Sequence, residues 1–408
     1  MKEINLKLKI ITPLFMGGAK QQAELRTQSF NGFFRYWFRI AGGNKEEEKL
    51  IFGWGGEKGC KKLINLYLEN PKLKKKYFSK IFDNRGNVDR RFGLNYIGFS
   101  LDQRFKINQK KLQREYLDIN QFFNLKIKIH PKAKKEEIKK FLCSVWLAFN
   151  LGNFGSRARR GFGSVKIEKI DGDLPENLDL QFIPSQDVEN WIKNNLEVLK
   201  NIICGYPRED LPYIFDKNNF SIYKVNKYNW QEKLNRFLES INKNRKGKWL
   251  PKPNEYLVNT INSPIWLLDF MSFLLMSWRS YYQPDYINVK TFLIKGTKKP
   301  LIEKTIFGLP LKFYFSSYNL GVTVNLESEK ETKKEILRKA SPLWIKIIET
   351  NKSNIDGLFL VMKSTFLPLE YKLKINGNEV TLPIPNIWRA LDNFIKNLEK
   401  FKLIEKIW

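Results

Sequence analysis

Residues 125–170 read LKIKIHPKAKKEEIKKFLCSVWLAFNLGNFGSRARRGFGSVKIEKI, and this stretch decides the fold. Leu125, Ile127 and Ile129 alternate with Lys126, Lys128 and His130, the two-residue period of a half-buried strand whose outer face is cationic. Beyond Pro131, the residues Ile138, Phe141, Leu142, Val145, Trp146 and Phe149 recur at the i, i+3, i+4, i+7 spacing of a helix with one buried stripe. A loop from Gly152 to Gly163, holding four glycines and three arginines, then leads into a strand from Ser164 to Ile170.

Working outward towards the N-terminus, Leu6, Leu8 and Ile10 alternate with basic residues and predict a first strand. Phe30, Phe33, Phe34, Trp37 and Ala41 predict a helix from Ser29 to Ile40, with Ser29 as its N-cap. A basic insertion follows, and Leu94 to Leu101 is then expected to pair with Leu125 to His130 as a long hairpin. The order β-α-β-β-α-β is the split βαβ arrangement of ferredoxin-like and RNA-recognition folds. In that arrangement the first and fourth strands are antiparallel neighbours. The loops Thr12–Gln28 and Leu151–Gly163 are therefore expected to converge beside the N-terminus of the first helix.

From Asp171 onward, helices are expected at Asp187–Ile203, Trp230–Ile241 and Ile265–Tyr281. Strands are expected at Leu311–Phe315, Leu320–Leu326, Leu343–Ile348, Leu358–Ser364 and Tyr371–Ile375, with a terminal helix from Asn386 to Ile407. The chain thus divides into 1–170, carrying the glycine-rich loop 152–163, and 171–408, an elaborated second domain. The fold class is α+β.

Composition narrows the function. The 408 residues hold 72 Lys and Arg against 42 Asp and Glu, a net charge of +30, which calls for a polyanionic partner, nucleic acid first. Hydrophobic residues at 42% and aromatics at 14% exclude a disordered chain. Cys60, Cys143 and Cys204 are too scattered for a disulfide framework or a zinc motif and suit a reducing cytoplasm. No apolar run reaches the length of a membrane span, and the N-terminus reads as a strand rather than a leader. The single histidine, His130, excludes a two-histidine ribonuclease centre. Gly53-Trp-Gly55-Gly56 lacks the spacing and the Lys-Ser/Thr ending of a phosphate-binding P-loop. Neither a cofactor nor a metal is expected.

Two constellations carry the expected RNA contacts. In the loop, Gly155, Gly161 and Gly163 permit tight turns and close backbone approach, while Arg157, Arg159 and Arg160 supply planar forks that match phosphate. Near the N-terminus, Gly17 and Gly18 leave room for a backbone, and Arg26, Arg35 and Arg39 add charge; Arg35 and Arg39 share one helix face. The basic stretch Lys61–Arg91 could equally track phosphates or be a solvated insertion. Aromatics in Trp278-Arg279-Ser280-Tyr281-Tyr282 read more readily as core than as a base-stacking surface. Lys126 and Lys128 stand on a face without stacking aromatics, so phosphate contact rather than base reading is expected there.

These same residues resemble the RAMP superfamily of CRISPR proteins. Ile11-Thr-Pro-Leu-Phe-Met-Gly-Gly18, Glu24-Leu-Arg26, Gly32-Phe-Phe-Arg35-Tyr-Trp37-Phe-Arg39, Ile51-Phe-Gly53 and Gly155-Ser-Arg-Ala-Arg-Arg-Gly-Phe-Gly163 are similar to the family of first-numbered subunits of type III-B Cmr effector complexes. Ile306-Phe-Gly-Leu-Pro310 and Arg338-Lys-Ala-Ser-Pro342 are similar to that family's second half, with Lys339 where a second arginine is usual. The resemblance implies two ferredoxin-like domains in a noncatalytic subunit that caps the complex near the guide RNA 3′ end. Its implied partners are guide RNA, target RNA and the other RAMP subunits. The alternative within the superfamily is a metal-independent endoribonuclease that processes guide RNA.

Overall fold

The computed structural model describes residues 2–18, 22–55, 59–69, 72–82, 84–89, 92–102, 113–203, 205–208, 210–242, 263–281, 285–296, 299–328, 338–366, 371–382 and 386–408. Gly56, Arg91, Cys204 and Tyr282, all singled out above, lie outside the described residues, as does the basic run Lys243–Lys248.

The first half contains β1 (Lys2–Ile10), α1 (Thr27–Ile40), α2 (Lys45–Phe52), β2 (Ile64–Glu69), β3 (Lys75–Tyr77), α3 (Gly93–Ile97), β4 (Glu115–Leu117), β5 (Phe122–Ile129), α4 (Lys135–Asn150) and β6 (Val165–Gly172). Its main sheet runs β2-β5-β1-β6, with every neighbouring pair antiparallel. The side chains of Leu6, Leu8, Leu125, Ile127, Val165 and Ile167 pack with the aromatic stripe of α1 and the apolar face of α4. Burial of that stripe drives the folding of both helices onto the sheet.

Two expectations change here. The second strand of this sheet is Ile64–Glu69, inside the supposed insertion, where Ile64 and Leu66 supply the buried alternation. Leu94–Leu101 forms α3 and a turn instead. Ile97 and Leu101 sit at helical spacing and are buried, and the Asp269 carboxylate accepts the Leu94 N–H at 2.8 Å, capping the helix from across the molecule. Helix α1 also starts two residues before the expected Ser29, and its N-cap position, Arg26, makes no side-chain cap bond.

The second half contains α5 (Val188–Ile203), β7 (Phe220–Val225), α6 (Trp230–Asn242), α7 (Pro264–Tyr281), α8 (Asp285–Lys295), β8 (Leu311–Phe315), β9 (Leu320–Ser328), β10 (Leu343–Glu349), β11 (Ile355–Met362), β12 (Tyr371–Ile375), β13 (Asn378–Glu379), α9 (Arg389–Lys400) and β14 (Ile404–Lys406). One sheet runs β10-β11-β7-β14, again antiparallel throughout. Taken in chain order, its strands occupy the same positions as those of the first sheet: second, third, first, fourth. A separate meander, β13-β12-β9-β8, is inserted between these elements. The expected terminal helix ends at Lys400; Phe401 and Lys402 turn the chain, and Ile404–Lys406 joins the sheet edge beside β7.

Strands β10 and β11 are buried along their whole length. Trp344, Ile348, Leu358 and Leu360 face the first core, and Leu343, Ile345, Ile347 and Phe359 face the second. A sheet covered on both faces needs apolar residues at successive positions, which explains their largely hydrophobic sequences, broken by Lys346 and Glu349 in β10 and Asp356 in β11. Helix α5 packs on α4, with Trp191 and Trp146 rings 5.2 Å apart, so it belongs to the first core although it follows residue 171.

Candidate nucleic-acid interface

The glycine-rich loop folds where the two cores meet. The Ser156 N–H donates to the Phe15 carbonyl at 2.8 Å, the Gly163 N–H to the Pro13 carbonyl at 3.0 Å, and the Thr12 hydroxyl to the Gly161 carbonyl at 2.7 Å. Phe154 packs its ring 4.7 Å from Phe30, in the first turn of α1. The two N-terminal loops therefore do converge beside α1, as strand order requires. Gly163, at φ +77°, presses so closely on the Phe154 carbonyl that an added Cβ would lie 1.9 Å from its oxygen.

The loop's other side binds the second core. The Ile345 N–H donates to the Arg159 carbonyl at 3.2 Å, and the Asn153 amide donates to the Ala158 and Ile345 carbonyls at 2.7 and 2.8 Å. Lys346 is wholly enclosed and donates to the Phe149 and Gly152 carbonyls, at 2.6 and 2.8 Å, at the C-terminal end of α4. Burial pushes its ammonium down to about 7.

Three arginines leave this loop in three directions. Arg157, held at φ +62°, donates to the Ser100 hydroxyl. Arg159 donates to the Ser341 carbonyl at 2.8 Å and lies 4.9 Å over the Trp344 ring. Arg160 donates to the Phe307 carbonyl at 2.9 Å. The loop is thus tied to both second-half segments, 306–310 and 338–342, which themselves join through the Leu309 N–H and the Lys339 carbonyl at 2.8 Å. Arg279 on α7 adds a further guanidinium, over Tyr96 at 5.7 Å and Phe307 at 5.8 Å.

None of Arg157, Arg159, Arg160, Arg279 or Arg338 forms an ion pair among the described residues. Burial lowers the pKa of Arg157 and Arg159, and it pushes Arg160 down to about 10, with Arg279, Arg157 and Arg159 adding like charge. Arg338 and Arg114 add like charge against Arg157. The buried Nη1 of Arg160 and the Tyr96 hydroxyl have no hydrogen-bond partner among the described residues. Clustered cations without carboxylates are costly, and a bound anion offsets that cost.

The N-terminal constellation is arranged differently. Arg35, Arg39 and Arg208 surround the buried Glu48 of α2, at 3.2, 2.5 and 2.9 Å. Burial alone would raise the Glu48 pKa, but bonds from Arg39 and Arg208 outweigh it and hold the carboxyl low. Arg35 also donates to the Gly53 carbonyl. Arg35 and Arg39 therefore point to α2, while their neighbour Tyr36 stacks on Trp344, the ring that Arg159 covers, at 5.8 Å. Gly17 forms an antiparallel bridge with Ala23, and Gly18 adjoins the Glu24 and Arg26 pair, whose charged atoms are 3.5 Å apart. Gly155 packs on Phe15 and Gly161 on Ile345 and Leu268, so all three loop glycines serve close packing.

His130 is exposed at the far end of β5, where its Nδ1 accepts the Lys132 N–H at 3.2 Å. The eight residues of β5 place it about 24 Å from the end of the sheet that carries the loop. Among the described residues no group of three potential metal ligands occurs, and no helix is long and apolar enough to cross a membrane.

The model of the RAMP superfamily matches residues 7–166, from β1 through the glycine-rich loop into β6. The CRISPR system Cmr subunit Cmr1-2 of Pyrococcus furiosus is 33% identical over 198 residues, covering 42% of this chain and 97% of that relative. This chain belongs to the Cmr1 family of RAMP proteins. The Cmr1-1 subunit of the same organism is 27% identical over 406 residues, covering 95% of this chain and 92% of the relative. The crystal structure of Cmr1 from Pyrococcus furiosus in its apo form superposes with a TM-score of 0.56 at 17% identity, covering 100% of this chain and 99% of that one, so the Cmr1 fold runs through both halves.

Sequence reasoning singled out the loop arginines and missed Arg208, Arg114 and Tyr96. Arg279 it read within a core helix. Their signal lies in spatial convergence, and a chain read in order does not display it.

Proposed function

We propose that this Cmr1-family chain is a noncatalytic RNA-binding subunit of a cytoplasmic type III-B Cmr ribonucleoprotein, built on two ferredoxin-like units and placed near the guide RNA 3′ end. The sugar–phosphate backbone of guide or target RNA runs along the seam between the units. Arg157, Arg159, Arg279 and Arg338 hold its phosphates there. One observation carries this reading: the seam gathers guanidinium groups with no carboxylate paired to them among the described residues, on a chain of net charge +30. The doubled strand order of the two sheets supports the pair of ferredoxin-like units. Arg160 supports the seam from within, because its Nη2 is committed to Phe307 and its Nη1 is shut off from solvent. Arg35 and Arg39 act mainly by fixing α2 through Glu48 and contribute charge at longer range. The other Cmr subunits are the expected protein partners.

The endoribonuclease reading would need His130, a tyrosine or a lysine as general base beside the bound strand, and of these His130 stands at the other end of the sheet. Binding of single-stranded RNA to the purified protein in chelator tests both readings. The proposal expects a complex that leaves the RNA intact and weakens when Arg157→Ala and Arg159→Ala are combined. Site-specific cleavage abolished by His130→Ala would overturn it.

A further inference from the structure

On the side away from its helices the first sheet is covered by Glu349 of β10 at its Lys9 and Lys166 end and is open beyond it, and the expectation that this face lacks aromatics does not hold. Strand β5 begins at Phe122, earlier than its alternation suggested, and β2 brings Tyr67 beside it. Both rings stand on the outer face, 46% and 48% exposed. Tyr67 lies opposite Lys126, four positions along β5 from Phe122, so the rings are separated by about 15 Å across the sheet. Lys7 places its ammonium 5.4 Å from the Phe122 ring centre, and Lys128 places its own 4.9 Å from that of Tyr67.

The pattern of charge on this face is selective. Lys126 pairs with Glu3 at 3.0 Å and Lys169 with Asp171 at 2.8 Å. Lys7 and Lys128 have no carboxylate partner among the described residues, and these are the two lysines poised over rings. Asn5 and Asn124 lie between them on the outer side of β1 and β5, and Asn124 donates to the Glu69 carboxylate of β2 at 2.7 Å. Two exposed rings, each with an uncommitted cation above it and an amide between, match the chemistry of unpaired nucleotides: base on ring, phosphate on ammonium.

We infer that the outer face of the β2-β5-β1-β6 sheet is a second nucleic-acid site, which stacks unpaired RNA bases on Tyr67 and Phe122 while Lys7 and Lys128 move off the rings to the adjoining phosphates. This site is independent of the arginine seam. The seam grips a backbone whatever its bases, whereas the sheet face requires bases and is tolerant of their identity.

The test compares a short oligoadenylate with an abasic RNA of the same length, by fluorescence anisotropy. Combined Tyr67→Ala and Phe122→Ala should weaken oligoadenylate binding about 20-fold and leave the abasic strand unchanged. Combined Arg157→Ala and Arg159→Ala should weaken both ligands, so failure at one site is distinguishable from failure at the other. Lys7→Gln with Lys128→Gln should lower the salt slope by about 1.4. Since both rings are half-exposed, their truncation leaves the core closed, which the unfolding midpoint verifies. Unchanged oligoadenylate affinity in the Tyr67/Phe122 variant overturns the inference, and so does an equal loss on both ligands. If the face instead seats an acidic protein segment, a glutamate-rich peptide binds there and the ring variants leave RNA affinity untouched, which also overturns it.

Discussion

Arg157 and Arg338 offer the sharpest perturbation of the seam, because neither holds the fold together. Among the described residues Arg157 donates to the Ser100 hydroxyl alone, and Arg338 is exposed, yet the two are close enough that Arg338 disfavours the charge on Arg157. A phosphate seated between them would relieve that repulsion and accept a charge-assisted bond from each, worth about 1.5–3 kcal/mol apiece. Arg157→Ala should therefore weaken single-stranded RNA about 10- to 100-fold. Arg338→Ala, more exposed, should cost about 3- to 10-fold. Each loss should also reduce the slope of log K against log salt by about 0.7. If one phosphate bridges both side chains, the double variant should lose less than the product of the single losses, with a coupling energy of at least about 0.5 kcal/mol. Anisotropy titrations across a salt series measure all of these quantities. Parallel salt slopes in wild type and both single variants, with no coupling, would refute the reasoning.

Three further outcomes concern the scaffold. Lys346 is held near 7 by burial, against its ordinary 10.5, so the unfolded chain binds the extra proton between those values and stability should rise with pH across that window. The gain is on the order of 5 kcal/mol, and urea denaturation should show it in wild type but not in Lys346→Met. Asp269, raised by burial to about 7, has the opposite sign: its contribution is fully present below about pH 4 and is lost as pH rises to about 7. Asp269→Asn keeps an acceptor for the Leu94 N–H and should flatten that dependence in the same assay. Gly163→Ala would force a Cβ into the Phe154 carbonyl at positive φ and should destabilise the protein by more than about 3 kcal/mol, read as a lowered urea midpoint.

What could be read from the sequence follows how local each signal is. Helix α4 and strands β1, β5 and β6 carry their own periodicity, and the convergence of residues 12–16 with the glycine-rich loop followed from strand order alone. Strand β2 was hidden because Ile64 and Leu66 sit in a lysine-rich stretch that reads as solvated. The α3 segment misled because Ile97, Phe99 and Leu101 alternate as in a strand, although Leu94, Ile97 and Leu101 also fit helical spacing, and Asp269, far away in the chain, decides for the helix. Strand β7 went unread since Phe220, Ile222, Tyr223 and Val225 are buried on both faces and show no clean alternation. The seam is the least legible part. Arg157 finds Ser100, Arg159 finds Ser341 and Arg160 finds Phe307, pairings set by how two cores pack rather than by any local pattern.

The most direct measurement is a structure of the protein with single-stranded RNA bound. The account predicts phosphate oxygens within hydrogen-bonding reach of the Arg157, Arg159 and Arg338 guanidinium groups, between the glycine-rich loop and the segment around Ser341. A strand that runs elsewhere and leaves those groups facing water would contradict it.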